Sequence, residues 1–389
     1  MKRWIWNSNQ PLDLNMARWA VIFMIVIGLL HKFIANDIPI LAKSESGLSM
    51  PVVQDYLYDL GLSNRDPHMA STQYRAVINP VINKSAYNTD IDQILLKPMN
   101  EGHLLGTDGY GRDVLSGLIH GTATAVLVSI GAVGLALFIA LLIGVISGYY
   151  YERPLRLNVW QILLAFIIIA MILPYLITEL TSINPNLLIM VLPVLVGMGL
   201  WKFLNPVLGR LKMKKWEVHI HRFTDRMIEV REAIPTIFLI LGAIALFRDN
   251  SIWNVALVIG LIGWGSLSRY IRAEVMKIRE KAYIDAAIIQ GQSTWRIISR
   301  HILPNALDPL LSIITFSFTA AILLEATLSF LGLGMPQEAP TWGSLLAQAR
   351  TANAWWLAVF PGFCIFLAIA SLNTIADYLQ RRLDVRIKK

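Results

Sequence analysis

Long apolar blocks alternate with polar connections along most of the chain. A helix of about 20 apolar residues crosses the hydrocarbon core of a bilayer, and each block is close to that length or exceeds it. The pattern therefore predicts an all-α polytopic membrane protein with about eight transmembrane helices. The predicted spans are residues 17–35, 123–148, 159–180, 186–208, 228–247, 252–268, 306–333 and 354–378.

The composition supports a membrane protein over a soluble one. Hydrophobic residues make up 55% of the 389 residues and charged residues only 15%, whereas about a quarter of the residues of a soluble domain are charged. The net charge of +8 follows from basic connections that orient the spans, so it does not indicate nucleic-acid binding. Cys364 is the only cysteine, which excludes a disulfide framework and gives no sign of a metal or redox site.

The distribution of lysine and arginine predicts which connections face the cytosol. Most of these residues lie in the connections on the same side as the N-terminus, and positive charge favours the cytosolic side. We therefore expect both termini in the cytosol. No small-residue cleavage site follows the first block, so we expect this block to remain as a membrane anchor.

Two regions do not fit the pattern of single spans. Residues 36–102 contain several prolines and no clear period, which predicts a small extracytoplasmic lobe. Residues 159–180 and 186–208 are separated by a short turn-forming stretch, which predicts a transmembrane hairpin. Because this hairpin is apolar on nearly every side, we expect it at the lipid-facing edge, with the basic run that follows it near anionic headgroups.

These features divide the chain into six segments. The first two are an N-terminal tail with the first span (1–35) and an extracytoplasmic segment (36–122). The second span (123–153) and the inserted hairpin with its basic loop (154–221) follow. The last two are a core with a cytosolic loop at 270–305 (222–380) and a cytosolic tail (381–389).

Glycines and prolines within the apolar blocks predict helix packing and helix breaks. Small residues four positions apart let two helix backbones approach closely. Prolines inside a span or near its end kink or break the helix. The glycine pairs are Gly117 with Gly121 and Gly144 with Gly148, and the prolines are Pro174, Pro193, Pro206 and Pro235.

One polar stretch between two apolar blocks, YIDAAIIQGQSTWRIISRHILPN at 283–305, is predicted to lie in the cytosol. Good helix formers predict a helix over 272–289 that ends at Gly291. A second helix is predicted from an N-cap at Ser293 to the residue before Pro304. It carries an apolar stripe of Ile297, Ile298, His301 and Ile302. Two interpretations remain open, an amphipathic helix on the bilayer surface and a docking surface for another protein.

The order of residues in this stretch resembles the "EAA" loop of the transmembrane subunits of binding-protein-dependent ABC importers. Asp285-Ala286-Ala287 is followed after three residues by Gly291 and, nine residues later, by His301-Ile302-Leu303-Pro304. Asp285 stands where Glu is usual, and His301 stands where Ile is usual. The second change, within RHILPN, is characteristic of the dipeptide and oligopeptide branch. The resemblance favours the docking interpretation.

Three further segments are similar to the C-type subunits of peptide importers. They are HLLGTDGYGRDVLSGLIHG at 103–121, GLIGWGSLSRYIRAEV at 260–275 and LSFLGLGMPQEAPTWGSLLAQAR at 328–350. Together the resemblance covers about 103–150 and 222–380. Residues 154–221 depart from the family, in which the second span passes almost directly to the third.

The resemblance implies the type I permease fold of ABC importers and a transport subunit rather than an enzyme. In that family the loop seats in a groove of a cytosolic ATPase subunit, whose ATP-driven closure moves the loop and the spans. The implied setting is the bacterial inner membrane, with a second permease in a heterodimer, two cytosolic ATPase subunits and an extracytoplasmic substrate-binding protein. The residues expected to couple to the ATPase are Asp285, Ala286, Ala287, Gly291, Ile298, His301, Leu303 and Pro304.

No cofactor is expected in this chain itself. The sequence contains no Gly-x4-Gly-Lys-Ser/Thr motif, whose backbone amides and lysine bind nucleotide phosphates. ATP and Mg are therefore expected to be used by the partner ATPase. His219 and His221 have no third ligand nearby in the sequence, so a metal site is not predicted.

Two sets of polar residues are further candidates. Glu325 lies within an apolar block and could be a proton relay, a substrate contact or a buried interhelix hydrogen bond, of which we favour the last. Asp108, Arg112 and Asp113 lie just outside the second span. We favour loop capping and ion pairing for this trio over direct substrate contact.

These observations favour a permease subunit of an ABC importer for peptides or similar small solutes. A secondary transporter driven by an ion gradient would be expected to carry paired intramembrane charges or an inverted repeat, and the sequence shows neither. A membrane scaffold that recruits a partner through the cytosolic loop is a third alternative.

Overall fold

The computed structural model describes residues 12–44, 47–59, 76–151, 154–180, 187–211, 213–245, 247, 251–336 and 339–384. The chain is dominated by helices, with a few short strands. The helices are α1 (Leu12–Ile34), α2 (Pro51–Asp59), α3 (Val114–Tyr149), α4 (Val159–Leu180), α5 (Leu187–Gly209), α6 (Ile220–Ala233), α7 (Thr236–Ile244), α8 (Ile252–Arg279), α9 (Ala282–Ile289), α10 (Thr294–Ile297), α11 (Leu303–Phe330), α12 (Trp342–Ala352) and α13 (Trp356–Asp384). The strands are β1 (Leu41–Ser44), β2 (Gly47–Ser49), β3 (Ala76–Ile78), β4 (Leu155–Asn158) and β5 (Lys215–Val218).

The helices confirm the all-α polytopic prediction. Within the described residues, six helices are long and apolar enough to cross a membrane. They are α1, α3, Leu192–Gly209 of α5, α8, the helical run Thr294–Phe330 and Trp356–Arg382 of α13. Helix α4 contains a shorter apolar run, Val159–Ile172, and the turn predicted between α4 and α5 lies outside the described residues.

The predicted span 228–247 is not one helix. It is divided between α6 and α7, because Ile234 is extended (φ −98°, ψ 126°) and Pro235 precedes the first residue of α7. Proline disfavours the helical conformation of the residue before it and lacks the amide donor that a continuing helix needs. The predicted break at Pro235 is therefore confirmed, whereas Pro174, Pro193 and Pro206 lie inside continuous helices.

One compact unit comprises residues 1–133, 251–256 and 312–389. Its core contains side chains from the start of α3, from α12 and from α13. A Cβ atom on Gly121 would lie 2.8 Å from the Trp342 ring, so the missing side chain lets α12 approach α3 closely. The segment predicted to be extracytoplasmic contributes a three-stranded antiparallel sheet of order β2-β1-β3 to this unit.

The second unit comprises residues 134–250 and 257–311. The predicted packing role of Gly144 and Gly148 is confirmed, since added Cβ atoms would lie 2.8 Å from the Ser268 carbonyl oxygen and 2.9 Å from that of Arg272. Helix α6 is held to α8 by an ion pair of 2.6 Å between Asp225 and Arg272. In the same unit α4 and α5 form an antiparallel hairpin whose base is closed by the β4–β5 ladder.

Candidate functional site

The stretch at 283–305, predicted to be cytosolic, folds into two short helices joined at Gly291. Gly291 has φ +74°, which a residue with a side chain rarely adopts. The amide of Gly291 donates to the Ile288 carbonyl (2.9 Å), and that of Gln292 donates to the Ala287 carbonyl (3.1 Å). This pair of bonds is the Schellman arrangement, which satisfies carbonyls that a helix end leaves open. The predicted turn at Gly291 is confirmed.

The first helix of the pair is shorter than the sequence predicted. The helix predicted over 272–289 is interrupted, because α8 ends at Arg279 and α9 begins at Ala282 after an extended Lys281 (φ −78°, ψ 136°). Helix propensity favours continuation at these residues. The interruption lets Ile284 and Ala287 become buried, and this burial outweighs the local preference.

The second helix does not end before Pro304, contrary to the prediction. Ser293 occupies the N-cap position but makes no side-chain capping bond. A π-helical turn over Ile298–Ile302 joins α10 to α11, and the Leu303 amide donates to the Ile298 carbonyl. Because Pro304 cannot donate to the carbonyl four residues earlier and its ring would crowd that carbonyl, the wider turn accommodates the proline within a continuing helix.

The apolar side chains of the helix pair, α9 and α10, divide between a buried face and a solvent-exposed face. Ile297 and Ile302, two members of the predicted stripe, are buried within the chain, so they hold the pair in place. The most exposed large apolar side chains are instead Ile289, 85% exposed, and Trp295, 77% exposed. Sequence periodicity missed both, because neither continues a helical stripe.

The small residues of the Asp-Ala-Ala segment also divide between the two faces. Ala286 is exposed, whereas Ala287 is buried. The exposed Asp285 pairs with Arg279 at 2.9 Å, and the Arg279 guanidinium also lies 5.8 Å from the Tyr149 ring centre at the end of α3. Asp285 thus connects the start of the helix pair to the end of α8.

His301 and its neighbours lie at the junction of the two helices. A His301 ring nitrogen lies 3.3 Å from the Gln292 side-chain oxygen, just after the Gly291 turn. The Asn305 side-chain amide donates to the His301 carbonyl at 2.7 Å. His301 is partly buried, as are Ile298 and Leu303, while Pro304 is exposed. These contacts connect the π-helical turn to the glycine turn.

The predicted trio Asp108, Arg112 and Asp113 is buried, and its side chains are bonded within the chain. The Asp108 carboxylate accepts hydrogen bonds from the Arg112 side chain (2.8 Å), from the Tyr110 and Arg112 amides (2.9 Å each) and from the Gln348 side chain (3.2 Å). Asp113 accepts from the Ser116 amide (2.8 Å), which caps α3, and lies 2.7 Å from a His103 ring nitrogen. This arrangement is what loop capping and ion pairing require.

The same outer segment is bound to distant parts of the chain. The Trp356 indole donates to the Thr107 carbonyl (3.0 Å), and the Trp342 indole donates to the Leu118 carbonyl (3.1 Å). The Gly109 amide donates to the Gln348 side-chain oxygen at 2.8 Å. Sequence reasoning did not identify these partners, because more than two hundred positions separate them from the segment. The sequence contains one indirect sign of these contacts, which is that residues 103–121 and the region 222–380 resemble the same family.

Glu325 is buried inside α11, where its carboxylate accepts a hydrogen bond from Ser329 at 2.8 Å. The two residues are one turn apart on the same helix. The hydrogen bond between Glu325 and Ser329 is therefore intrahelical, whereas a bond between two helices was predicted. No second carboxylate or base is described beside it.

His219 and His221 lie next to each other, with ring centres 5.6 Å apart. Burial, together with the neighbouring His219 and Arg222, lowers the pKa of His221 below its usual value. No group of three or more potential metal ligands occurs among the described residues.

Comparison with known proteins identifies the family. The model of the family described as "Binding-protein-dependent transport system inner membrane component" matches residues 140–389. A peptide transport system permease protein of Brucella suis is 29% identical over 80% of this chain and 83% of its own length. The dipeptide transport system permease protein DppC of Alkalihalophilus pseudofirmus is 28% identical over 80% of this chain and 82% of its own length.

Two further matches are a curated relative and a solved structure. The di/tripeptide transport system permease protein DppC of Pseudomonas aeruginosa is 28% identical over 73% of each chain. A chain of the MetNI methionine ABC transporter in an inward-facing conformation is similar with a TM-score of 0.33 and 14% identity, covering 64% of this chain and 95% of that one. On the family match over 140–389, this chain belongs to the binding-protein-dependent transport system inner membrane components, the membrane-spanning permease subunits of ABC importers.

Proposed function

We propose that this permease subunit imports peptides and is driven through the helix pair α9–α10. The single observation that carries the proposal is the exposure of Ile289 and Trp295 on a pair whose other large aliphatic side chains are mostly inward. Large apolar groups in water favour a protein partner, and tryptophan is frequent among residues that dominate binding. The partner is a cytosolic ATPase subunit, which uses ATP and Mg.

The contacts of the pair support transmission of movement. Gly291 fixes the angle between the helices, and the buried Ile284, Ala287 and Ile302 hold the pair against the rest of its unit. From Thr294 the helical run continues without a gap to Phe330. A displacement imposed on Ala286 and Ile289 is thus passed to a long apolar helix rather than absorbed in a loop.

The remaining partners follow from the family. A second permease completes the pathway as a heterodimer, two ATPase subunits bind on the inside, and a substrate-binding protein delivers solute outside. Peptides are the proposed solutes because the curated relatives are named as permeases for peptides, dipeptides and di/tripeptides. Asp108, Arg112 and Asp113 support the outer face without contacting solute, and Glu325 has a packing role.

The proposed orientation has both termini in the cytosol, with the extracytoplasmic segment outside. Single cysteines in a Cys364→Ala background test it in intact cells. A membrane-impermeant thiol reagent is expected to label Ile91→Cys, in the extracytoplasmic segment, and not Lys214→Cys, next to β5; both sites are exposed. Labelling of Lys214→Cys but not of Ile91→Cys would show that the chain has the opposite orientation.

Reconstitution tests the mode of energy coupling. The complete transporter is placed in liposomes with its binding protein and a labelled dipeptide. We expect ATP hydrolysis to be stimulated by loaded binding protein and uptake to require ATP. Uptake that needs no ATP and stops when the proton gradient is collapsed would support the secondary transporter instead.

A further inference from the structure

The inserted hairpin has a rigid polar base at one end. Asn158 and Gln161 cap each other's backbone amides at 2.9 Å in both directions. The Asn158 side chain also donates to the Leu208 carbonyl (2.6 Å), and that of Gln161 donates to the Asn205 side chain (2.7 Å). These bonds lock the start of α4 to the end of α5, so the surface around them is preorganised.

The β4–β5 ladder at this base has one polar and one apolar face. Residues opposite each other in an antiparallel ladder share a face, and neighbours along a strand alternate. Arg156, paired in register with Glu217, therefore shares a face with Lys215, and Leu157 shares the other face with Trp216. Trp216 is 59% exposed, and Trp160 at the start of α4 is also exposed. Exposed tryptophans beside apolar helices are typical of the membrane–water interface.

Among the described residues, most of the positive charges at this base have no acidic partner. Glu217 is engaged by Arg156 at 3.1 Å. By contrast, Arg210, Lys214 and Lys215 are exposed and form no ion pair within the described part of the chain. Lysines and arginines held at a membrane interface attract anionic headgroups, each by about fivefold in affinity.

An apolar groove runs along the hairpin toward the basic base. It has a volume of about 610 Å³ and is lined by Ile168, Ile172, Val194, Gly197 and Gly199, among others. Gly197 allows the close approach of the helices, since an added Cβ would lie 2.7 Å from Ile172. Lys202 is the charged residue of the lining, and it belongs to the last third of α5, nearer the base than the other α5 residues of the groove. Its long stem can lie on the apolar wall while its ammonium reaches the headgroup level.

We propose that the base of the α4–α5 hairpin binds an anionic phospholipid, with the phosphate held by Lys202, Arg210, Lys214 and Lys215 and an acyl chain in the groove. This combination recognises both parts of a phospholipid, and free phosphate satisfies only one of them. The proposal does not depend on the solute or on ATPase coupling. The lipid proposal can therefore be wrong while the proposed function is right. The proposed function can likewise be wrong while the lipid proposal is right.

The test measures lipid retained by the purified transporter complex. The complex is placed in nanodiscs of phosphatidylcholine and phosphatidylglycerol in equal amounts, re-extracted, and the bound lipid is quantified by native mass spectrometry. We expect phosphatidylglycerol to be retained over phosphatidylcholine. In the variant Arg210→Gln, Lys214→Gln, Lys215→Gln we expect the phosphatidylglycerol preference to fall about tenfold or more, given partial screening by salt.

A matched control removes three positive charges elsewhere on the predicted cytosolic side, with Lys277→Gln, Lys281→Gln and Arg296→Gln. This control is expected to retain wild-type lipid preference. A loss equal to that of the hairpin variant would mean that net charge alone attracts the lipid. Retention of the preference by the hairpin variant would also overturn the proposal.

A second pair of variants separates the lipid from free phosphate. Gly199→Leu fills the groove without a clash, since nothing lies within 4 Å of an added Cβ, and the same holds for Gly242→Leu on α7 outside the groove. We expect Gly199→Leu to reduce phosphatidylglycerol retention and Gly242→Leu to leave it unchanged. Excess inorganic phosphate is expected not to displace the lipid. Displacement by phosphate, or no effect of Gly199→Leu, would rule out the acyl-chain site.

Discussion

The outer segment at 103–121 and the cytosolic stretch at 283–305, named for their proposed sides of the membrane, satisfy their side chains in opposite ways. In the outer segment the charges of Asp108 and Asp113 are buried and bonded within the chain. In the cytosolic stretch large apolar groups, Ile289 and Trp295, stay exposed. The first segment is satisfied by contacts within the chain, whereas the second has an exposed apolar face that we propose is covered by a partner.

This difference assigns different consequences to mutation in the two segments. Breaking a buried ion pair leaves an uncompensated charge and destabilises the fold. Changing an exposed apolar residue leaves the fold intact and weakens association. Variants of the outer segment are therefore expected to lower stability. Variants of the cytosolic stretch are expected to lower transport or ATPase binding with little loss of stability.

The largest effect is expected from Asp108→Ala in the outer segment. It strands the buried Arg112, whose side chain lies 2.7 Å from the carboxylate, and we expect a loss of about 3–5 kcal/mol of stability. Thermal unfolding of the detergent-solubilised transporter measures it. Arg226→Ala is the control, because its pair with Glu229 is exposed and contributes at most about 1 kcal/mol. Equal melting temperatures for the two variants would show that burial of the ion pair in the outer segment adds no stability.

The next effect is expected from Gly291→Val. Valine at φ +74° is strained by roughly 1–3 kcal/mol, so we expect the helix pair to tilt and transport to fall sharply while the protein still inserts. Gly332→Val is a close match, because Gly332 also has φ +74° and open space around it. Uptake by the two variants, normalised to protein in the membrane, is compared. If both transport equally well, the angle at Gly291 has no special role in coupling.

A smaller effect is expected from changes on the exposed face. Ala286→Arg and Ile289→Glu place charge on the face proposed to meet the ATPase, and we expect about tenfold weaker binding of that subunit or more. Co-purification of the ATPase measures it. Ile91→Glu, at an exposed apolar residue of the extracytoplasmic segment, is expected to leave co-purification unchanged. Ala287→Arg is unsuitable, because Ala287 is buried and its replacement would disturb folding. Undiminished co-purification of both variants would contradict the docking surface.

The smallest effect is expected from Asp285→Asn. The Asp285 side chain is largely exposed beside Arg279, and exposed pairs contribute below about 1 kcal/mol. We expect a near-unchanged melting temperature and a measurable decrease in ATP-coupled uptake. A large loss of stability would instead show that Asp285 acts as the buried charges of the outer segment do, by holding the fold together.

Local patterns predicted most of the long helices, the turn at Gly291, the break at Pro235 and the glycine packing of α3, because each depends on nearby residues. Three features depended on distant or collective contacts and were not predicted. Gln348 and Trp356 reach the outer segment from far along the chain. The break between α8 and α9 goes against helix propensity and follows burial. The polar base of the hairpin joins Asn158 and Gln161 to the end of α5, and no periodic signal marks it.

The π-helical turn at Ile298–Ile302 changes the rotational phase of the helix that follows it. Residues five positions apart in an α-helix point about 140° away from each other, at 100° per residue. Ile297 and Ile302 are five positions apart and both buried, after which the buried positions Ala306 and Leu310 recur every four residues. The wider turn takes up one extra residue, so it brings two stretches of different phase onto one face. Deleting one residue from this turn would place the two buried isoleucines four positions apart, so an ordinary α-helix would keep the downstream buried side chains on the same face.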